Sequence, residues 1–302
     1  LAKQTRNSFD QLLDIANSQN ENGDYIFSGY QTELRPFSQQ TDVSVLYSGD
    51  KGVNEIQVAK NIKIQTNQTG DAAFLNVTNA IGDFSATYPT TPANTSGIAV
   101  ESANVTDRNS YNVSTGPFTF ATDPTTNNLT VTDSTLPTPV VVFPVLPAVP
   151  APYVAGQVIS FEGVDVTLSG NTLPGESFVI NRQEDVSIFE AINDAITWME
   201  KGSVITDTAQ HQVDYNVILD QLSDSTAHIT GRRVDAGIRL QVLDSQENRH
   251  LDSALNLSSA KSSIEDLDFA KAISEFEQSK IALQASQQAF SKVQGLSLFN
   301  YI

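Results

Sequence analysis

The chain has 302 residues, 39% of them hydrophobic and only 17% charged, with 35 acidic against 17 basic side chains and a net charge of −18. That length allows two domains, and no stretch concentrates Lys or Arg, which argues against a nucleic-acid backbone or an anionic membrane as partner. The absence of Cys excludes disulfides, thiolate nucleophiles and zinc–thiolate sites together.

The chain opens inside a helical pattern. Phe9, Leu12, Leu13 and Ala16 share one face, and the turn-forming residues 17–23 end it. A beginning in mid-helix suggests a fragment of a longer protein. No basic-plus-apolar signal peptide is present, and no uninterrupted apolar run is long enough to span a bilayer. The most apolar patch, residues 140–151, is broken by Pro144, Pro147 and Pro150.

Residues 24–74 read as strands. Tyr25, Ile26 and Phe27 start one, Val43, Val45 and Tyr47 alternate along another, and segments 55–59 and 62–66 form an alternating pair. From residue 81 to 183 the character changes. Arg108 and Arg182 are the only bases there, Thr, Asn and Ser dominate, and six of the chain's 12 prolines fall between Pro137 and Pro152. Short apolar runs recur at 118–120, 129–131, 158–161, 164–168 and 178–180. This predicts an all-β domain inserted into a helical one. The Pro-rich stretch is then an extended connection, a sheet edge or a disordered linker.

Helix returns at residue 187, where Ser187 and Glu190 are spaced as a capping box. Ile188, Ile192, Ala195, Ile196 and Met199 follow on one face, and Lys201-Gly202 ends the helix. A longer helical stretch runs from about residue 208 to 254, with Leu222, Ile229, Ala236 and Leu243 recurring every seven residues. Polar residues at many seam positions point to a solvated surface with several partners rather than a deep core. From Ser258 onward there is no Pro, and no Gly before Gly295. There Phe269, Ile273, Phe276, Lys280, Leu283, Gln287 and Phe290 step by four and three residues, which places them along one narrow helical stripe. Such a helix is too apolar to stand alone in water and too thinly apolar for a packed core, so it needs a partner helix.

Catalytic patterns fail in turn. The chain has no Gly-x-Ser-x-Gly, His-Glu-x-x-His, Walker or dinucleotide-glycine motif. His211, His228 and His250 are 17 and 22 residues apart, not the three or four of a helical metal site. Asn20, Asn22 and Gly23 form a turn rather than a calcium loop, because Gly29 stands where the bidentate Glu is needed. Trp198 reads as packing against the bundle. Glu162, Asp165 and Glu176 read as exposed turn carboxylates, not a glycosidase pair. No catalytic, cofactor-binding or metal-binding residue is assigned, and the Asn-x-Ser/Thr sequons follow from composition.

Three blocks in order carry a family resemblance. SSIEDLDFAKAISEFEQSKIALQASQQAFSKVQGLSLFNYI resembles the C-terminal end of the bacterial flagellin superfamily, and its IEDLDFAKAISEF and QGLSLFNYI runs resemble the hook-associated protein 3 family. DIANSQNENGDYIFSGYQTELRPF is similar to that family's helix-to-hairpin segment, and GQVISFEGVDVTLSGNTLPGESFVINR to a β motif of hook-associated proteins. The resemblance implies an α+β fold: an elongated helical bundle or coiled-coil domain with a β-hairpin (residues 1–80 and 184–302, with further N-terminal helices), carrying the all-β insert at 81–183. It implies a non-enzymatic junction layer of the flagellum, exported by the flagellar type III route without a cleaved signal. The expected partners are copies of itself in a ring, the hook-side junction protein, flagellin and an export chaperone. Phe269, Ile273, Phe276, Leu283, Phe290, Leu296, Leu298 and Phe299 are the expected subunit and chaperone contacts. Other readings are flagellin or another axial protein, and a glycan- or host-binding β module on a helical stalk.

Overall fold

The computed structural model describes residues 1–41, 43–89, 94–112, 116–135, 138–144, 149–201 and 208–295. The chain divides into two compact units, Leu1–Gly237 and Ile238–Ile302. The fold is α+β. Helix α1 (Ala2–Ala16) buries Phe9, Leu13 and Ala16. At its end the Asn17 amide nitrogen donates to Leu13 O and Phe37 O, and its oxygen accepts from Phe37 N at 2.9 Å. One side chain thus adds a second hydrogen bond to a helix carbonyl that already accepts from Asn17 N, and fixes where the next strand begins. Strands β1 (Phe37–Gln39) and β2 (Val45–Tyr47) pair antiparallel, as do β3 (Glu55–Ala59) and β4 (Ile62–Gln65), the second pair being the expected hairpin.

Two segments expected as strands are not. Tyr25 makes only an isolated antiparallel bridge to Gln19, and Ile26 and Phe27 form a turn, because Tyr25 N donates to Thr32 O, Ile26 N donates to Ser18 O, and the Ser28 hydroxyl donates to Tyr25 O. Gly29, at φ +77°, then turns the chain against Asp50, whose carboxylate accepts from Tyr30 N and Gly52 N. Residues 71–75 form a π-helical turn, Asp71–Leu75, not a strand. Both segments serve as anchors. Phe37, Phe74 and Phe189 are fully or nearly fully buried, and Phe27 packs edge-on to Phe74 at 5.0 Å.

Strand β5 (Val77–Thr78) leads into β6 (Phe84–Thr87), β7 (Ala99–Val105), the helical turn α2 (Arg108–Tyr111), β8 (Phe118–Thr122), β9 (Leu129–Asp133) and β10 (Val140–Phe143). Strands β11 (Val158–Phe161), β12 (Val164–Ser169), β13 (Ser177–Arg182) and β14 (Asp185–Val186) follow. An antiparallel five-stranded sheet has the order β10-β9-β8-β13-β6, and a three-stranded one the order β11-β12-β7. Their alternate side chains share one core, where Phe118 meets Phe161 at 4.9 Å across the sheets. Phe120 stacks on its cross-strand partner Phe178 at 4.6 Å, a pairing that helps fix register. The described part of the Pro-rich tract supplies β10, an edge strand, which is where prolines are tolerated. Strands β5 and β14 pair with each other where the chain leaves and rejoins the helical elements.

The β11–β12 hairpin turns on Glu162 and Gly163, with φ +43° and +77°. Both central residues at positive φ give the two-residue turn that matches strand twist. Glu176, expected as an exposed turn carboxylate, is instead only 8% exposed. It accepts from Thr95 N, Ser96 N, the Ser96 hydroxyl and Leu173 N at 2.6–2.9 Å. Burial pushes its carboxyl up, but these four bonds outweigh it and hold the carboxyl below its ordinary value. With the folded value depressed, the native state binds fewer protons than the unfolded chain. Its contribution to stability is therefore complete above the unfolded value near ~4.3 and is lost as pH falls through the folded one. Glu176→Gln puts an NH2 group where Oε2 accepted, leaving Leu173 N unpaired. We expect a loss of about 1–3 kcal/mol at pH 7 and a flatter acid limb in urea melts followed between pH 3 and pH 7 (on the order of the carboxyl range). An unchanged acid limb would show that the carboxylate does not hold this corner together.

Helix α3 (Ile188–Lys201) begins with Phe189 N donating to Ser187 Oγ at 3.2 Å. Ser187 therefore caps the helix by itself, without the reciprocal bonds of a capping box, and the Glu190 carboxylate accepts from Gln183 Nε2. Ile188, Phe189, Ala191, Ala195 and Ile196 are buried. Phe189 meets Phe9, Phe37 and Phe74 at 5.4–5.9 Å between ring centroids, making it the hub of a second core shared with α1. Gly202 lies outside the described residues. The two C-terminal helical stretches form a single helix, α4 (Thr208–Gly295), of 88 residues.

Candidate assembly surface

Helix α4 can be this long because no Pro interrupts it and its side chains support one another locally. Lys261–Glu265 and Glu277–Lys280 pair at 3.6 and 3.3 Å, and Ser279 and Ser286 donate to the carbonyls of Glu275 and Ala282. Each exposed pair contributes only about 0.3–0.5 kcal/mol. A helix of this length therefore depends on packing for most of its stability.

Within the Leu1–Gly237 unit, α4 packs through a seam that is largely polar. Gln221 Oε1 accepts from Ala80 N at 3.1 Å, His228 Nε2 lies 2.9 Å from Ala72 O, and Ser225 is buried beside them in sequence. Leu222 and Ile229 are half-buried, Ala236 is exposed and Leu243 is 37% exposed, so the seven-residue repeat does not itself form a buried seam. The polar hooks are harder to find in sequence, because an amide that bonds a distant backbone group leaves no periodic signal. Trp198 packs as expected: its ring stacks on His211 at 4.2 Å, and its N–H donates to His211 O.

In the Ile238–Ile302 unit the apolar side chains are open. Phe269 is 71% exposed, Ile273 53%, Phe276 68%, Leu283 61% and Phe290 67%. The described residues bring these five onto one helical stripe and place nothing over them. Leu296, Leu298 and Phe299 lie outside the described residues. Exposed apolar side chains repeated along one stripe, interrupted by Lys280 and Gln287, are the kind of surface that interaction faces present. Burying one such side chain is worth roughly 1.5–3 kcal/mol.

The residues weighed as catalytic are not gathered. Glu162 sits in a hairpin turn, Asp165 on β12, and Glu176 is used in its own hydrogen-bond cluster. The Asn20 side-chain oxygen accepts from Asn22 N and Asp24 N, closing an ordinary Asx turn. Among the described residues no group of His, Asp or Glu is spaced to hold a metal, and no helix is long and apolar enough to cross a membrane.

Residues 219–302 match the family described as the bacterial flagellin C-terminal helical region, which includes the whole exposed stripe. Flagellar hook-associated protein 3 of Escherichia coli is 39% identical over 75 residues, 24% of this chain and 23% of that protein. Its namesake from Salmonella typhimurium is 41% identical over 69 residues, 23% of this chain and 21% of that protein. The matched segments thus span less than a quarter of those curated relatives. Over a larger share, the crystal structure of a flagellar hook-associated protein 3 from Legionella pneumophila covers 86% of this chain, and 78% of its own, at 29% identity and a TM-score of 0.67. An FlgL structure from Xanthomonas campestris, 21% identical, covers 87% of this chain and 81% of its own at a TM-score of 0.62, a likeness of fold.

Proposed function

We propose that this chain, which resembles hook-associated protein 3 of the bacterial flagellin superfamily, is a structural component of the flagellum that forms a junction layer between the hook-side junction protein and the flagellin filament. The observation that carries this reading is the coincidence of the open Phe/Ile/Leu stripe with the segment matching the flagellin C-terminal helical region. Its chemistry is association, not catalysis.

Residues 1–80 and 184–302 make up the helical, ring-forming domain in this reading, and 81–183 the outward-facing β domain. Magnitudes favour conditional assembly. Burying five stripe residues yields on the order of 7–15 kcal/mol per subunit, against roughly 4–15 kcal/mol for fixing a free subunit in place. A lone pairing is therefore marginal, while a preformed template tips the balance. The same open stripe suits an export chaperone, which would cover it before secretion through the flagellar type III route, without a cleaved signal. The protein then lies outside the cell, at the hook–filament junction.

The test is made on cells lacking the gene. Bare hooks by electron microscopy, with flagellin accumulating as soluble monomer in the medium, are the expected result. Filaments of normal length and number would overturn the junction role.

A further inference from the structure

The turn after α1 places a reactive pair of residues in the open. Asn22-Gly23 is the chain's single Asn-Gly pair. Both residues are exposed, and Gly23 adopts φ +88°. A Cβ at Gly23 would meet nothing beyond its chain neighbours within 4 Å. A residue without a Cβ lets another group approach its main-chain nitrogen closely. The group at hand is the Asn22 carboxamide, one residue back, and a five-membered ring closes when the Gly23 nitrogen reaches its Cγ.

Nothing among the described residues holds that carboxamide away. The Asn22 side chain makes no hydrogen bond there, and only its main-chain N–H is used, donating to Asn20 Oδ1 at 2.9 Å. Other asparagines are committed. The Asn17 amide nitrogen donates to Leu13 O and Phe37 O, and Asn94, 2% exposed, donates to Ser177 O. One bond opposes ring closure at Asn22. The Gly23 N–H donates to Asn20 O at 3.0 Å and must first be released. An exposed hydrogen bond of this kind slows the step by about tenfold at most.

We propose that Asn22 is a site of spontaneous deamidation, with water as the only co-reactant. The Gly23 nitrogen gives its proton to solvent base and bonds to Asn22 Cγ. The Cγ–Nδ2 bond breaks, and the departing nitrogen takes up a proton and leaves as ammonia. Water then adds to the cyclic imide. Opening at Cγ leaves an aspartate, and opening at the main-chain carbonyl leaves an isoaspartate, whose chain path is longer by a methylene. Either product adds negative charge between Glu21 and Asp24, in a stretch with no Lys or Arg from Asn17 to Leu34. The isoaspartate also lengthens the path from Asn20 to Asp24, which is closed by Asp24 N donating to Asn20 Oδ1 and Asn20 N donating to Asp24 O. This chemistry belongs to the turn itself and is independent of any junction role.

The intact chain would be held in mildly alkaline buffer at physiological temperature, both native and unfolded in urea, with Asn22→Gln beside it. Anion exchange resolves the more negative product, and fragmentation mass spectrometry places the change and separates isoaspartate from aspartate. We expect the earliest product to be changed at Asn22 and to contain both isomers, because a cyclic imide opens on either side. Its rate in the native chain should lie within about tenfold of that in urea. Asn22→Gln removes no described side-chain hydrogen bond and should slow the first deamidation by about tenfold or more. An earliest product at another Asn, aspartate without isoaspartate, an unchanged rate in Asn22→Gln, or native protection beyond about tenfold would each overturn the proposal.

Discussion

Replacing Phe189 by Ala should destabilise the Leu1–Gly237 unit by about 3–5 kcal/mol, the range for emptying a large aromatic site in a packed core. Phe189 is 2% exposed and touches the rings of Phe9, Phe37 and Phe74, which come from three separate parts of the chain. No single neighbour can collapse into the space, since each ring is held by a different element. Loss of the edge and tilted ring contacts adds about 0.5–1.5 kcal/mol per pair. Trp198 lies nine residues further along the same helix, so its emission follows this core. Its urea midpoint should fall by about 1 M or more, with m on the order of 1–3 kcal/mol/M. Phe189→Leu, which keeps most of the volume, should lose less than half as much. The sandwich core around Phe118 and Phe161 is a distinct cluster and should retain its far-UV β signal. Equal loss of both signals would show that the two cores unfold as one.

Much of this architecture was legible, and the failures have identifiable causes. Strands β8, β9, β11, β12 and β13 announce themselves by period-two alternation, which the shared core enforces on both sheets. Strand β7 did not. Its buried residues Val100 and Ala103 are three apart, because a register shift between Thr167 and Leu168 leaves Glu101 as an extra, bulged residue. The segment Tyr25-Ile26-Phe27 misled for the opposite reason. Its composition favours a strand, but its backbone groups are taken by Thr32, Ser18 and Ser28. Glu176 is acidic and flanked by turn residues, and nothing local says that Thr95 and Ser96, some eighty positions earlier, supply its hydrogen bonds.

At the assembly surface the same distinction applies. The seven-residue spacing of Phe269, Phe276, Leu283 and Phe290 was readable at once, whereas spacing alone does not say whether such a stripe is covered or open. The polar seam of α4 was not readable, because Gln221 and His228 are fixed by the backbone of Ala80 and Ala72, far away in sequence.

Phe276→Asp and Phe290→Asp should each abolish incorporation into the flagellum while leaving the chain folded. Both side chains are about two-thirds exposed in this structure, so the folded monomer loses little beyond the lower helix propensity of Asp, roughly 0.7 kcal/mol at most. In the assembly the balance is different. Each substitution forfeits about 2–3 kcal/mol of apolar burial, and it adds a carboxylate that must be desolvated without a partner, a penalty of several kcal/mol. Because every subunit in a ring would carry the change, the deficit repeats at each contact. Phe276→Leu keeps the surface apolar and should incorporate. Complementation of a null strain separates the outcomes: bare hooks with either Asp variant and filaments with the Leu variant are expected. Unchanged circular dichroism of the purified proteins excludes misfolding as the cause. Filaments formed by both Asp variants would mean that the stripe faces solvent in the assembled state, and the contacts between subunits would then have to be carried by other surfaces of the chain.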